Sequence, residues 1–268
     1  MIRITLAGAT GWVGRALIQA IGASDDLQLA GAVSRSAAGQ DAGTAAGGAA
    51  LGVTISATLA EALAAPSDVV IDYTKPNAVK AHALEALGAG RHVVIGTSGL
   101  SAEDYGEIDI AAREVGLGVL AAGNFSITAT LLRRFALEAA RFVPDVEIID
   151  YASPSKADTP SGTGRELAEL IGAMRQAATS KPVDQLTGVR ETRGGAIGAP
   201  TPVQVHSVRM PSYVLSCEAL FGADNERLVI RHDAGSSAAP YVSGTLLAAR
   251  KVASFTGLRR GLDAVMDG

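Results

Sequence analysis

Lys156 lies five residues ahead of Ser161 in the stretch DYASPSKADTPSGTG, residues 150–164. Pro160 marks a turn, and Ser161, Gly162 and Thr163 follow where a helix opens. A helix N-terminus carries unpaired N–H groups and partial positive charge, so small donors placed there attract a carboxylate. A lone ammonium beside them adds a full charge, and an anion bound between the two lowers the cost of desolvating the lysine. The plainer reading makes Lys156 a solvated loop charge and Ser161 an ordinary helix cap.

A second chemistry lies near the N-terminus. Gly8, Gly11 and Gly14 space the turn GATGWVG, which also holds Ala9, Thr10, Trp12 and Val13, between an apolar run and a helical pattern. Glycines here let the backbone approach a pyrophosphate while the helix N-terminus faces its charge. Alone the spacing is weak; at the first βα turn of an alternating α/β chain it points to a dinucleotide. The second apolar run ends at Ser34 and Arg35, where an NAD site usually carries an acidic residue for the ribose. Without a carboxylate to repel a 2′-phosphate, and with a guanidinium to attract one, NADPH is expected ahead of NADH, which stays possible.

The elements that must position these groups follow from periodicity. IRITLA, LQLAGAV, DVVIDYT, RHVVIGTSG and GVLAAGNFS read as strands separated by helical segments. Ser101 with a carboxylate three residues on forms a capping box. Such alternation predicts a Rossmann-type doubly wound parallel sheet covered on both faces. Residues 36–52 are small and low in complexity and read as a surface loop. Beyond VEIIDY the pattern changes to PVQVHSVRM, YVLSCEALFG and ERLVIRHDA, an expected antiparallel series, with a closing helix after Ala239. The expectation is an α/β dinucleotide-binding domain over 1–125, completed by 240–268, and an α+β substrate and oligomerisation domain over 126–239.

Bulk properties narrow the function classes. Of 268 residues, 48% are hydrophobic and 19% charged, with a net charge of −4. That charge leaves no basic footprint for nucleic acid or an anionic membrane. The single Cys217 excludes internal disulfides and metal sites built on cysteine pairs. It reads as a small buried hydrophobe in a strand rather than a nucleophile. No metal is expected. No apolar run approaches the roughly 18 residues of a membrane span, and the chain starts on structure rather than a leader, so a cytoplasmic setting is expected. A short-chain dehydrogenase would need a tyrosine with a lysine four positions on, and none of the five tyrosines has one.

One family draws these pieces together. The Gly8 turn, DYTKP (72–76), GTSG (96–99), GNFS (123–126), EIID (147–150), KADTPSGT (156–163) and ERLVIRH resemble, in order, the dihydrodipicolinate (4-hydroxy-tetrahydrodipicolinate) reductases of lysine biosynthesis. The resemblance implies a Rossmann domain, a substrate domain whose open mixed sheet builds a homotetramer, and a small cyclic dicarboxylate as reactant. It implies that Gly96, Thr97 and Ser98 with Gly123, Asn124 and Phe125 hold the nicotinamide and its ribose. It implies that Ser153, Ser161, Gly162 and Thr163 bind the reactant, and that Lys156 helps protonate the ring nitrogen as hydride reaches carbon.

The pattern breaks four and three residues before the lysine. The family carries a histidine pair there, one a proton donor and one a carboxylate ligand; here stand Ala152 and Ser153. Either Lys156 or water supplies the proton, or the pocket serves another imine or enamine outside lysine biosynthesis. A catalytically silent dinucleotide sensor is a third reading. His82, His92, His206 and His232 do not obviously substitute, and His232 reads as structural.

Overall fold

The computed structural model describes residues 1–190 and 192–267. Its elements begin with β1 (Ile2–Ala7), α1 (Trp12–Gly22), β2 (Leu27–Val33), α2 (Ala42–Ala45), β3 (Ile55–Ser56), α3 (Leu59–Leu63) and β4 (Val69–Asp72). There follow α4 (Pro76–Gly88), β5 (His92–Ile95), α5 (Ala102–Glu114), β6 (Gly118–Ala121), α6 (Ile127–Ala140), β7 (Asp145–Ala152) and α7 (Gly162–Met174). The chain continues through β8 (Gly195–Ile197), β9 (Val203–Arg209), β10 (Leu215–Ala223), β11 (Glu226–Ala234), α8 (Ala239–Lys251) and β12 (Gly257–Arg260). They form two compact units, Met1–Thr130 with Ala238–Gly268, and Leu131–Ser237. The first turn of α6 falls within the first unit because Ile127 packs on that unit's core.

The first unit is built on a parallel sheet in the order β12-β6-β5-β4-β1-β2-β3. Its strands are apolar at consecutive positions because side chains alternate between two covered faces. Ile71, Val94 and Leu120 join one cluster with Leu17, Ile18 and Ile21 of α1 and Leu246, Ala248 and Ala249 of α8. Their strand neighbours Val70, Val93, Ile95 and Val119 join the other, against Val79, Ala83 and Leu87 of α4 and Ile108 of α5. Ser101 and Asp104 close the expected capping box at α5. Strand order reverses between β1 and β4, and in such sheets the crevice beyond the carboxyl ends at that point receives the ligand.

Two edges of this sheet differ from expectation. The small-residue segment 36–52 is not wholly loop: Asp41 caps the short α2, and β3 follows it to pair with β2. The C-terminal segment is not all helix: after α8 the chain adds β12 beside β6. Gly257, at φ +85, starts that strand. With Leu258 its only apolar side chain, GLRR has no apolar run to mark it off from the tail of the helix before it.

The second unit holds a mixed sheet in the order β11-β10-β7-β9-β8. Along β7, Val146, Ile148, Asp150 and Ala152 are buried and alternate with half-exposed residues. The buried face carries Val146 and Ile148 against Leu132 and Ala136 of α6 and Leu167 and Ile171 of α7. The expected antiparallel series holds for β10 with β11 but not for β9 with β10, because β7 lies between them. Strand β9 runs parallel to β7, since the chain joining them crosses over through α7.

Candidate active site

In the first unit the nominated cofactor residues lie at the carboxyl ends of β1, β2, β5 and β6. Gly8 sits at φ +88, and a Cβ there would meet the Tyr73 carbonyl oxygen at 2.3 Å. A Cβ on Gly14 would lie 2.1 Å from the Gly8 oxygen, so this glycine lets α1 pack directly on the turn. The Gly11 N–H donates to Gly8 O at 3.0 Å, and Gly11 caps α1 with no side chain occupying the helix amides. An open, uncapped helix N-terminus behind a turn that only glycine can follow fits a pyrophosphate. Ala9 is buried in the core, Thr10 and Val13 are half-buried, and Trp12 is exposed with its ring edge-on to Tyr241 at 5.6 Å.

Thr10 and Ser34 share a 2.7 Å hydrogen bond between hydroxyls, which joins the glycine turn to the end of β2. Arg35 follows, exposed, at the start of a short 3₁₀ turn. Ser34 and Arg35 follow β2 directly, with no acidic side chain between Val33 and Gln40.

The loops after β4 and β5 are tied by a carboxylate whose role the sequence did not disclose. Asp72, 1% exposed, accepts from the Thr74 amide and hydroxyl at 2.9 and 2.7 Å and from the Thr97 hydroxyl at 2.8 Å. Its second oxygen pairs with His82 Nδ1 at 2.8 Å. Burial alone would raise the Asp72 carboxyl, but these bonds outweigh it and hold the group below its usual range. The same bond to Asp72, against partial desolvation, raises His82. Thr97 therefore fixes its loop through its side chain. A Cβ on Gly96 would strike the Tyr73 ring at 2.3 Å, while Ser98 is exposed and Gly123 faces open space. Asn124 Oδ1 accepts from the Ser126 N–H at 2.8 Å, and Phe125 is a core side chain, 6.1 Å from the Tyr73 ring. Phe125 can thus offer a cofactor only its backbone.

In the second unit the turn before α7 is organised by Asp150, which is fully buried. Its carboxylate accepts the Ser161 N–H at 2.9 Å and the Ser161 hydroxyl at 2.5 Å. Arg209 Nη2 reaches the same carboxylate at 2.7 Å and also donates to the Asp158 carbonyl at 2.8 Å. Ser161 in turn caps α7 by accepting from the Gly164 N–H at 3.3 Å. Ser161, at 1% exposure, thus has its donors committed within the protein. Gly162 is exposed and Thr163 half-buried at the helix start.

Lys156 is about one-third exposed, and its Nζ lies 2.8 Å from Asp158 Oδ1. Its amide donates to Ser153 O at 3.1 Å, and the Ser153 and Ser155 hydroxyls are 2.9 Å apart. Ala152 is buried, in register with Arg209 of β9 and Leu215 of β10. Cys217 is buried and its thiol is pushed up to about 12 by desolvation and the nearby Asp150 and Glu218, so it is no nucleophile.

A cavity of about 970 Å³ opens elsewhere in this unit, lined by Glu147, Ile149, Gln204, Leu220 and Arg193. Glu147 and Ile149 alternate with the core positions of β7, so it lies on the sheet's other face and contains no nominated residue. Among the described residues, no group of three His, Cys, Asp or Glu side chains could hold a metal ion, and no helix is long and apolar enough to cross a membrane.

Residues 2–125 match the family model described as dihydrodipicolinate reductase, N-terminus, and residues 128–266 the one described as its C-terminus. The chain belongs to the dihydrodipicolinate reductase family. It is 38% identical to a 4-hydroxy-tetrahydrodipicolinate reductase of Synechococcus elongatus, with 99% of this chain and 98% of that protein covered. It is 35% identical to the enzyme of the same name from Desulfitobacterium hafniense, with 99% of each covered. The dipicolinate-bound dihydrodipicolinate reductase from Paenisporosarcina sp. TG-14 superposes with a TM-score of 0.86 at 27% identity, over 99% of this chain and all of that one. Members of the family are NAD(P)H-dependent oxidoreductases, and the relatives matched along nearly the whole chain are named for the reduction of 4-hydroxy-tetrahydrodipicolinate.

Proposed function

We propose that NADPH is the preferred cofactor and that the reactant's acid group is held between the Lys156 ammonium and the N–H groups of Gly162 and Thr163. The cofactor preference rests on Ser34 and Arg35 at the end of β2, where a guanidinium suits a 2′-phosphate and no carboxylate opposes one. The reduced nicotinamide supplies the hydride. Gly8, Gly11 and Gly14 with the open α1 N-terminus would hold its pyrophosphate, and the loops at 96–98 and 123–125 its nicotinamide end.

The observation that carries the reactant site is the pairing of Ser161 with Asp150. With both of its donors engaged, Ser161 sets the turn, and the charge attraction at the helix start is left to Gly162 and Thr163. Lys156 pairs with the acid and delivers a proton toward the ring nitrogen, directly or through water. Ser153 offers a neutral hydroxyl beside it. Losing a dedicated general acid costs about 10² to 10⁴ in rate, so the absence of histidine at 152 and 153 slows the reaction without abolishing it.

The open face of the mixed sheet supports a homotetramer: Val229 of β11, in register with Leu220, is about half exposed there. A net charge of −4 argues against nucleic acid as a partner, and lysine biosynthesis supports a cytoplasmic setting. Steady consumption of NADPH with 4-hydroxy-tetrahydrodipicolinate is the expected result, with a higher kcat/KM than for NADH. No turnover of that compound beside rapid turnover of another cyclic imine acid would favour a retuned pocket, the reading that Ala152 and Ser153 motivate. Ser153→His is the cleaner restoration, because a histidine at the buried position 152 would overpack the sheet.

A further inference from the structure

We infer that Asp158 is the resident anion of the acid-binding niche, and that a reactant's carboxylate enters by taking its place on Lys156. The inference rests on the reading of Lys156 and the α7 N-terminus given above, and it adds a residue that tunes how tightly the niche holds an acid. Asp158 Oδ1 lies 2.8 Å from Lys156 Nζ, the ammonium assigned to the reactant. Lys156 first, and the Gly162 N–H as a lesser contributor, hold the Asp158 carboxyl below its usual range. The side chain thus occupies the ammonium that a bound carboxylate would use.

Two acids approach this turn, and only one of them can leave it. Asp150 is fully buried and accepts from Ser161, Ser207 and Arg209. The Asp158 side chain is 52% exposed, and its carboxylate has water to return to. Its backbone would stay behind, because the Asp158 carbonyl accepts from Arg209 Nη2 at 2.8 Å. Rotation of one side chain therefore clears the ammonium without moving the turn. Exchange of one carboxylate for another conserves the ion pair, whereas a neutral ring has nothing to give Lys156 in return. Lys156 thus supplies the preference for acids, and Asp158 sets how tightly one is held.

Titration calorimetry with dipicolinate on the full chain tests this in four proteins: wild type, Asp158→Asn, Lys156→Met and the double variant. Removing the internal competitor is expected to tighten dipicolinate about two- to fivefold, the range set by an exposed ion pair. With Lys156→Met already in place, Asp158→Asn is expected to change the affinity by less than about 1.5-fold, since no ammonium remains to compete for. Unchanged or weaker binding in Asp158→Asn overturns the inference. So does an equal gain in the Lys156→Met background, which would make Asp158 a bystander that merely repels anions. Wild type that does not bind dipicolinate at millimolar concentration would instead refute the niche itself. Asp158→Ser repeats the measurement should the Asn variant unfold at a lower temperature than wild type.

Discussion

Asp150 takes both donors of Ser161, the amide at 2.9 Å and the hydroxyl at 2.5 Å, and so fixes the turn from which α7 starts. The carboxylate is fully buried and would be costly without those donors and Arg209. Asp150→Ala leaves the Arg209 guanidinium, whose Nε has no partner of its own, without its carboxylate. Breaking a buried pair from one side costs about 3–5 kcal/mol. Urea unfolding should show a loss of that order, with Asp150→Asn less affected; a loss below about 1 kcal/mol would contradict the role assigned to the pair.

Lys156→Ala should cut kcat at least about tenfold, the lower part of what a proton-transferring group contributes. Its melting temperature should stay near that of wild type, because among the described residues the lysine's ion pair is with the half-exposed Asp158. Turnover equal to wild type would show that the chemistry lies elsewhere.

Arg35→Ala should lower kcat/KM for NADPH roughly tenfold and leave that for NADH nearly unchanged, as a hydrogen bond between charged groups is worth about 1.5–3 kcal/mol. Parallel loss with both cofactors would point to a structural role for Arg35.

The Asp72–His82 pair makes stability depend on pH in a defined direction. His82 is raised in the folded protein, so its contribution is complete below about pH 6.5, the unfolded value, and fades as pH climbs through the folded one. Asp72 is lowered, so its contribution is complete above about pH 4 and fades as pH falls through its folded value. The gap in melting temperature between wild type and His82→Asn should therefore be widest between about pH 4 and 6.5 and narrow toward pH 9. A gap that does not vary with pH would mean the pair is not an ion pair.

Much of this was legible in the residues. The alternation of apolar runs with helical segments specifies the parallel sheet, and the glycine spacing at 8, 11 and 14 specifies its first turn. Asp150 and Asp72 had a signal that sequence reasoning passed over: each is a carboxylate at a buried position of an apolar strand, VEIIDYA and VVID. A charge in such a phase must have donors waiting for it. Arg209 could not be paired with Asp150 from sequence, because the contact needs β9 beside β7, a neighbour relation that follows from the α7 crossover and not from proximity along the chain. Strand β3, with two residues, is too short to show a period, and β12 (GLRR) has a single apolar side chain where β4, β5 and β6, equally long, have apolar runs.

The first unit is interrupted: its chain leaves at 130, resumes at 238, and lays β12 against β6 only at 257–260. During synthesis every other strand of that sheet emerges well before its last neighbour, so β6 presents an unpaired rim of peptide groups while more than a hundred further residues are being translated. A nascent or C-terminally clipped chain that ends before Gly257 retains the glycine turn yet exposes a template for sticking to its own kind. Quality control acting on such fragments would read that bare rim rather than any defect in the catalytic groups.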